Sequence, residues 1–104
     1  MNKIEHEHII KRVSESMQIH GAYDTLERFI SECRNMRFDE YKSLIFDAIC
    51  AGRLLLQQEC KRENYPFDLA IEQLTIWAGL PDYFDMLADR LRELFENDEK
   101  GDDE

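Results

Sequence analysis

The chain has 104 residues, 43% of them hydrophobic, and a formal net charge of −10 at neutral pH. That length suits one compact domain around one core, and the apolar fraction excludes wholesale disorder. No apolar run is long enough to span a bilayer. The opening stretch, Met1 to His8, is polar and lacks the apolar region of a secretion signal, so the expected setting is the cytoplasm.

Helical periodicity runs through almost the whole sequence, with no convincing alternating strand. It predicts an all-α fold: a compact bundle of about five helices over residues 3–97, ending in a short disordered acidic tail, 98–104. The first predicted helix covers 3–19, with Ile9, Ile10, Val13 and Met17 on one face and Gly21 as its stop. A second runs from about 23 to 35 on the stripe Leu26, Phe29, Ile30 and Cys33. The third and longest extends from Glu40 to about Glu63, with Asp39 as the expected N-cap. Its apolar arc is wide enough to make it central. Gly52 falls in its interior, where a glycine costs about 1 kcal/mol relative to alanine; a close helix crossing there would justify it. Pro66 then breaks the chain, and a fourth helix starts at Asp68 or the residue before and ends near Ala78. Gly79-Leu80-Pro81 makes a turn, and Asp82 is the expected cap of a fifth helix.

Cys33, Cys50 and Cys60 are odd in number and show no C-x-x-C spacing, so free structural thiols are expected. Cys60, beside Lys61 and Arg62, is the best placed of them to be reactive. His6 and His8 lie two residues apart, about 200° around a helix, and cannot chelate one ion together. They read as part of a solvated helix start, and His20 as a residue of the last turn favoured by the helix dipole. No P-loop, dinucleotide glycine pattern, G-x-S-x-G or EF-hand loop occurs. The expectation is a protein without cofactor, metal or catalytic residues, acting by binding and not as an enzyme.

The charge is unevenly spread. Residues 1–66 hold 11 acidic and 10 basic side chains, whereas residues 67–104 hold 12 acidic and 3 basic. Asp82, Asp85, Asp89, Glu93 and Glu96 recur at intervals of three and four, which makes a ridge along the last helix, expected to face away from the apolar stripe. Such a ridge is a solvated face, a docking surface for a basic protein, or a stand-in for a DNA phosphate backbone. Tyr65, Phe67, Trp77, Tyr83 and Phe84 gather at the two proline turns and serve either the core or an interface.

Leu69 to Leu94 contains a helix, the turn Ala78-Gly79-Leu80-Pro81, and Tyr83-Phe84 opening a second helix. This stretch, about a quarter of the chain, resembles the helix-turn-helix of bacterial transcription activators, which would imply DNA reading by the last helix. It departs from that pattern in a turn one residue short and in the carboxylates Asp82, Asp85, Asp89 and Glu93 where a DNA reader carries cations or polar groups.

Together these features describe a small acidic module that binds another protein. The leading expectation is an inhibitor or regulator of the immunity, antitoxin-like or anti-defence kind. It would occlude a basic or nucleic-acid-binding partner through Asp82, Tyr83, Asp85, Asp89, Glu93 and Glu96, with DNA mimicry as the sharper form. Neither direct nucleic-acid binding nor membrane association is expected. The alternative is a structural or assembly protein, homo-oligomeric through the first helix or the aromatic cluster, whose charge serves solubility only.

Overall fold

Asn2 starts the first helix as a sequence of this kind should. Its side-chain oxygen accepts the Glu5 backbone N–H at 2.8 Å while its amide reaches the Glu5 carboxylate at 3.4 Å, a reciprocal cap. The computed structural model describes residues 2–101. Among them are six α-helices: α1 (Lys3–His20), α2 (Ala22–Cys33), α3 (Phe38–Ala51), α4 (Arg53–Arg62), α5 (Phe67–Trp77) and α6 (Phe84–Gly101). A short 3-10 turn, Pro81–Tyr83, leads into α6. The chain is therefore all-α, with six helices where five were expected. No described helix is long and apolar enough to cross a membrane.

The extra helix comes from Gly52. The long third helix breaks there, at φ −93° and ψ 6°, into α3 and α4. A Cβ at this position would stand 2.3 Å from Met17 Sδ, so α1 reaches the junction only because the residue has no side chain. The expected close crossing is present, and it coincides with the bend.

Several later helix ends are satisfied too, some of them from far away in sequence. Gly21, at φ 96°, turns the chain into α2, which has no local cap. Glu59 of α4 supplies one instead: its two carboxylate oxygens accept the backbone N–H groups of Ala22 at 2.6 Å and Tyr23 at 3.2 Å. Asn64, in the left-handed region at φ 53°, closes α4, and Tyr65 N–H bonds back to the Cys60 carbonyl. At the end of α5, Gly79 (φ 73°) allows Leu80 N–H to reach the Thr75 carbonyl. The neighbouring carbonyls of Trp77 and Ala78 are taken by the Arg34 guanidinium at 2.8 Å and the Tyr41 hydroxyl at 2.6 Å.

Two expected caps are not made. Asp39 lies inside the first turn of α3, because the helix already begins at Phe38 after Arg37 in extended geometry. Asp82 lies within the 3-10 turn, which delays α6 to Phe84, and its side chain caps nothing there.

The acidic end of the chain also differs from expectation. Asp98 accepts a two-pronged grip from Arg53, Nη2 to Oδ1 at 2.7 Å and Nε to Oδ2 at 3.1 Å, and α6 continues to Gly101. Part of the stretch expected as a disordered tail is thus helical; residues 102–104 lie outside the described residues.

One cluster of buried side chains, from Val13 to Leu91, forms the core. Ile30, Leu44, Ile45, Ile49, Leu74 and Leu87 are fully enclosed. The helix α3 is central, packing on α1, α2, α4 and α6, as its wide apolar arc requires. On the far side, α5 packs between α4 and α6. That arrangement leaves a cleft between the N-terminal half of α5 and the length of α6.

Candidate protein-binding groove

The cleft has a volume of about 600 Å³. Its floor consists of Phe67 and Ile71 from α5 with Phe84, Ala88, Leu91 and Phe95 from α6. Phe67 and Phe95 meet edge to face at 5.5 Å between ring centres, which joins the two helices under the groove. The walls are acidic. Asp68 stands on the α5 side, and Asp85, Asp89, Glu96 and Glu99 on the α6 side, with Arg92 the one cation among the lining residues. Gln57 of α4 closes one flank.

The α6 wall follows from spacing. Asp85, Asp89, Arg92, Glu96 and Glu99 recur at alternating intervals of four and three, so they lie within about 80° of one another around the helix. The next sector holds Phe84, Ala88, Leu91 and Phe95. The expected ridge of Asp82, Asp85, Asp89, Glu93 and Glu96 points away from the buried Leu87 and Leu91, while its Asp85, Asp89 and Glu96 edge borders the half-buried Phe84, Ala88 and Phe95 of the groove. The carboxylates of that edge rim an apolar surface.

The expected site residues divide accordingly. Asp85, Asp89 and Glu96 line the groove. Glu93 lies outside it, exposed, and pairs with Arg90 at 3.4 Å. Asp82 is exposed in the 3-10 turn, away from the cleft. Tyr83 packs elsewhere, 6.2 Å from Phe38 and 6.0 Å from Phe46, with the Lys42 ammonium 4.8 Å from its ring. Sequence reasoning missed Asp68, Glu99 and Gln57. For Glu99 a signal existed, since the four–three spacing continues into the stretch taken for a tail.

Arg92 donates to Asp89 at 3.0 Å, so that carboxylate is partly satisfied; both groups are exposed, and the pair adds little stability. No ion pair holds Asp68, Asp85, Glu96 or Glu99 among the described residues. Like charges repeated along one helix face repel one another mildly, and a cationic occupant would relieve them.

The groups weighed for chemistry sit elsewhere. Cys33 and Cys60 are buried and Cys50 is half-buried. Burial, reinforced by Glu32, pushes the Cys33 thiol up to about 11. The Cys60 thiol is also raised, by burial and by Glu59, so Lys61 and Arg62 do not activate it. His6, expected to be solvated, bonds Asp47 at 2.5 Å and ties α1 to α3. His20 is exposed. Among the described residues no group of three or more His, Cys, Asp or Glu is placed to hold a metal ion.

No protein-family model, curated protein or solved structure matches the chain. The groove itself carries the functional argument.

Proposed function

We propose that this protein is a binding module of the inhibitor or regulator kind, which occludes a basic, nucleic-acid-handling protein by seating part of it in the groove between α5 and α6. The observation that carries this reading is the combination of five carboxylates and an aromatic floor in one cleft. Cationic side chains of the partner would pair with the rim, and an apolar side chain would fill the floor. A nuclease or DNA-binding protein presents lysines and arginines on the surface that receives phosphates, so occupying that surface blocks its substrate. Complementary charge would speed the encounter and make it sensitive to salt.

The aromatic floor favours a protein contact over pure phosphate mimicry. Arg90 and Arg92 interrupt the line of carboxylates that mimicry would use. Catalysis forms no part of the proposal.

The test is capture of partners from the native host at low salt with elution by a salt gradient, beside a variant carrying Asp85→Lys, Asp89→Lys and Glu96→Lys. The captured protein is then assayed for nucleic-acid binding in the presence of each form. The expected result is a basic protein that elutes with salt, ignores the variant, and loses nucleic acid only to the wild type. A partner retained equally by the variant would end the groove reading.

A second reading, self-assembly with charge serving solubility, draws on Ile4 and Ile19 of α1, which are 78% and 76% exposed. It expects a stable oligomer indifferent to salt, measured by sedimentation, and dissociated by Ile4→Ser with Ile19→Ser.

A further inference from the structure

The end of α5 opposite the acidic groove presents a surface of different character. A cavity of about 430 Å³ lies between it and the α2–α3 connection, walled by Met36, Phe38, Tyr41, Ile76 and Trp77. Its lining contains one charged residue, Arg34, and no carboxylate, in a chain with 23 acidic and 13 basic side chains. Phe38, Ile76 and Trp77 are 53%, 52% and 45% exposed, so three large apolar groups meet water together. A concentration of that kind marks an interaction site.

Arg34 is held ready at its edge. The guanidinium stacks 4.5 Å from the centre of the Trp77 ring and donates one Nη2 bond to the Trp77 carbonyl. Neither Nε nor Nη1 has a described partner, and among the described residues Arg34 forms no ion pair. These free N–H groups can donate to a carboxylate. Beyond the lining, the Lys42 ammonium lies 5.9 Å from the Phe38 ring and 4.8 Å from that of Tyr83.

We propose that this cavity is a second docking site, distinct from the acidic groove, and that it takes an acidic, hydrophobic peptide segment of a partner protein. A carboxylate of the segment pairs with the free N–H groups of Arg34, and a Leu or Phe side chain fills the space between Trp77, Phe38 and Ile76. Charge complementarity selects this occupant over a basic one, which Arg34, the one charged lining residue, repels. Long-range repulsion from the rest of this acidic protein is screened beyond about 8 Å at physiological salt, so the local pairing decides.

Trp77 is the one tryptophan of the chain, and its fluorescence reports on this cavity directly. The probe is a terminally blocked synthetic peptide alternating Glu with Leu and Phe, with a control in which Gln replaces every Glu. The expected result is a saturable blue shift of emission with the Glu peptide and binding about tenfold weaker with the Gln peptide. Arg34→Gln should weaken the Glu peptide by a similar factor. Since Arg34 also caps α5, Ile76→Glu serves as the second variant. It alters a half-exposed side chain, places a carboxylate in the cavity, and should abolish the shift. Asp85→Lys in the groove should leave the shift intact, so the two sites fail or stand separately. The proposal is overturned by an emission that never moves, by equal affinity for the Gln peptide, or by a shift that follows protein concentration without peptide, which would assign the surface to a second copy of the chain.

Discussion

Replacing Gly52 with alanine tests the packing that splits the central helix. The new methyl group would stand 2.3 Å from Met17 Sδ and 3.1 Å from its Cε, where unstrained contacts fall at about 3.5–4.0 Å. Met17 is 1% exposed, and its flexible thioether would have to shift toward the surface pocket it borders with Leu55 and Gln58 to make room. Overpacking of this kind costs about 1–3 kcal/mol. Against it stands the helix preference of alanine, at most about 1 kcal/mol, of which only part accrues at a junction with ψ near zero. The expected net loss is about 1–2 kcal/mol. For a domain of this size, thermal unfolding followed by circular dichroism should show Tm falling by about 4–8 °C per kcal/mol. Met17→Ala alone should cost about 2–5 kcal/mol through the cavity it leaves. In the double variant the alanine methyl enters that cavity, so the combined loss should be smaller than the sum, with a coupling of about 0.5–3 kcal/mol. A Gly52→Ala protein more stable than wild type, or two losses that simply add, would refute the account of the junction.

Three further outcomes are expected. Glu59→Ala removes the remote cap of α2 and should lower stability by about 1–2 kcal/mol in urea titrations, with Glu59→Gln less harmful because one acceptor oxygen remains. Tyr41→Phe leaves the Ala78 carbonyl without its 2.6 Å partner and should cost about 1–3 kcal/mol, with faster amide exchange confined to the α5 terminus. Burial raises the Cys33 thiol from 9.0 to about 11, so the unfolded chain releases its proton first. The contribution of Cys33 is then full below pH 9 and is lost as pH rises from about 9 to about 11, so Cys33→Ala should make the alkaline decline shallower in a pH series of unfolding curves, the raised Cys50 and Cys60 thiols sustaining the rest.

What could be read from the chain beforehand was whatever depends on near neighbours. The stripes of Leu26, Phe29 and Ile30 or of Leu44, Ile45 and Ala48 repeat at helical spacing, and both segments are helices with those side chains buried. Pro66 and Gly79 mark true helix ends for local reasons of backbone geometry. Two of the misses involve partners distant in sequence. Gly52 lies against Met17 of another helix and Asp98 is held by Arg53 of another, whereas Asp39 and Asp82 lose their expected cap roles locally, to a helix that starts at Phe38 and to the 3-10 turn. The groove was half visible for the first of these reasons. Its acidic wall is a periodicity of α6, but the opposite wall, Phe67 and Asp68, belongs to α5 and meets it only in the folded chain.

The wall of carboxylates on α6 is also a store of electrostatic tension. Residues three and four apart on a helix that share a charge push each other apart by a few tenths of a kcal/mol per pair, and here they do so beside an aromatic floor that water solvates poorly. The free protein holds this helix together against its own charge, partly through the Arg53 clasp on Asp98 at its far end. A ligand bringing ammonium or guanidinium groups to the rim discharges that tension as it binds. Melting temperature then becomes a gauge of occupancy, rising with any cation that enters the cleft and by an amount that reports how well it fits.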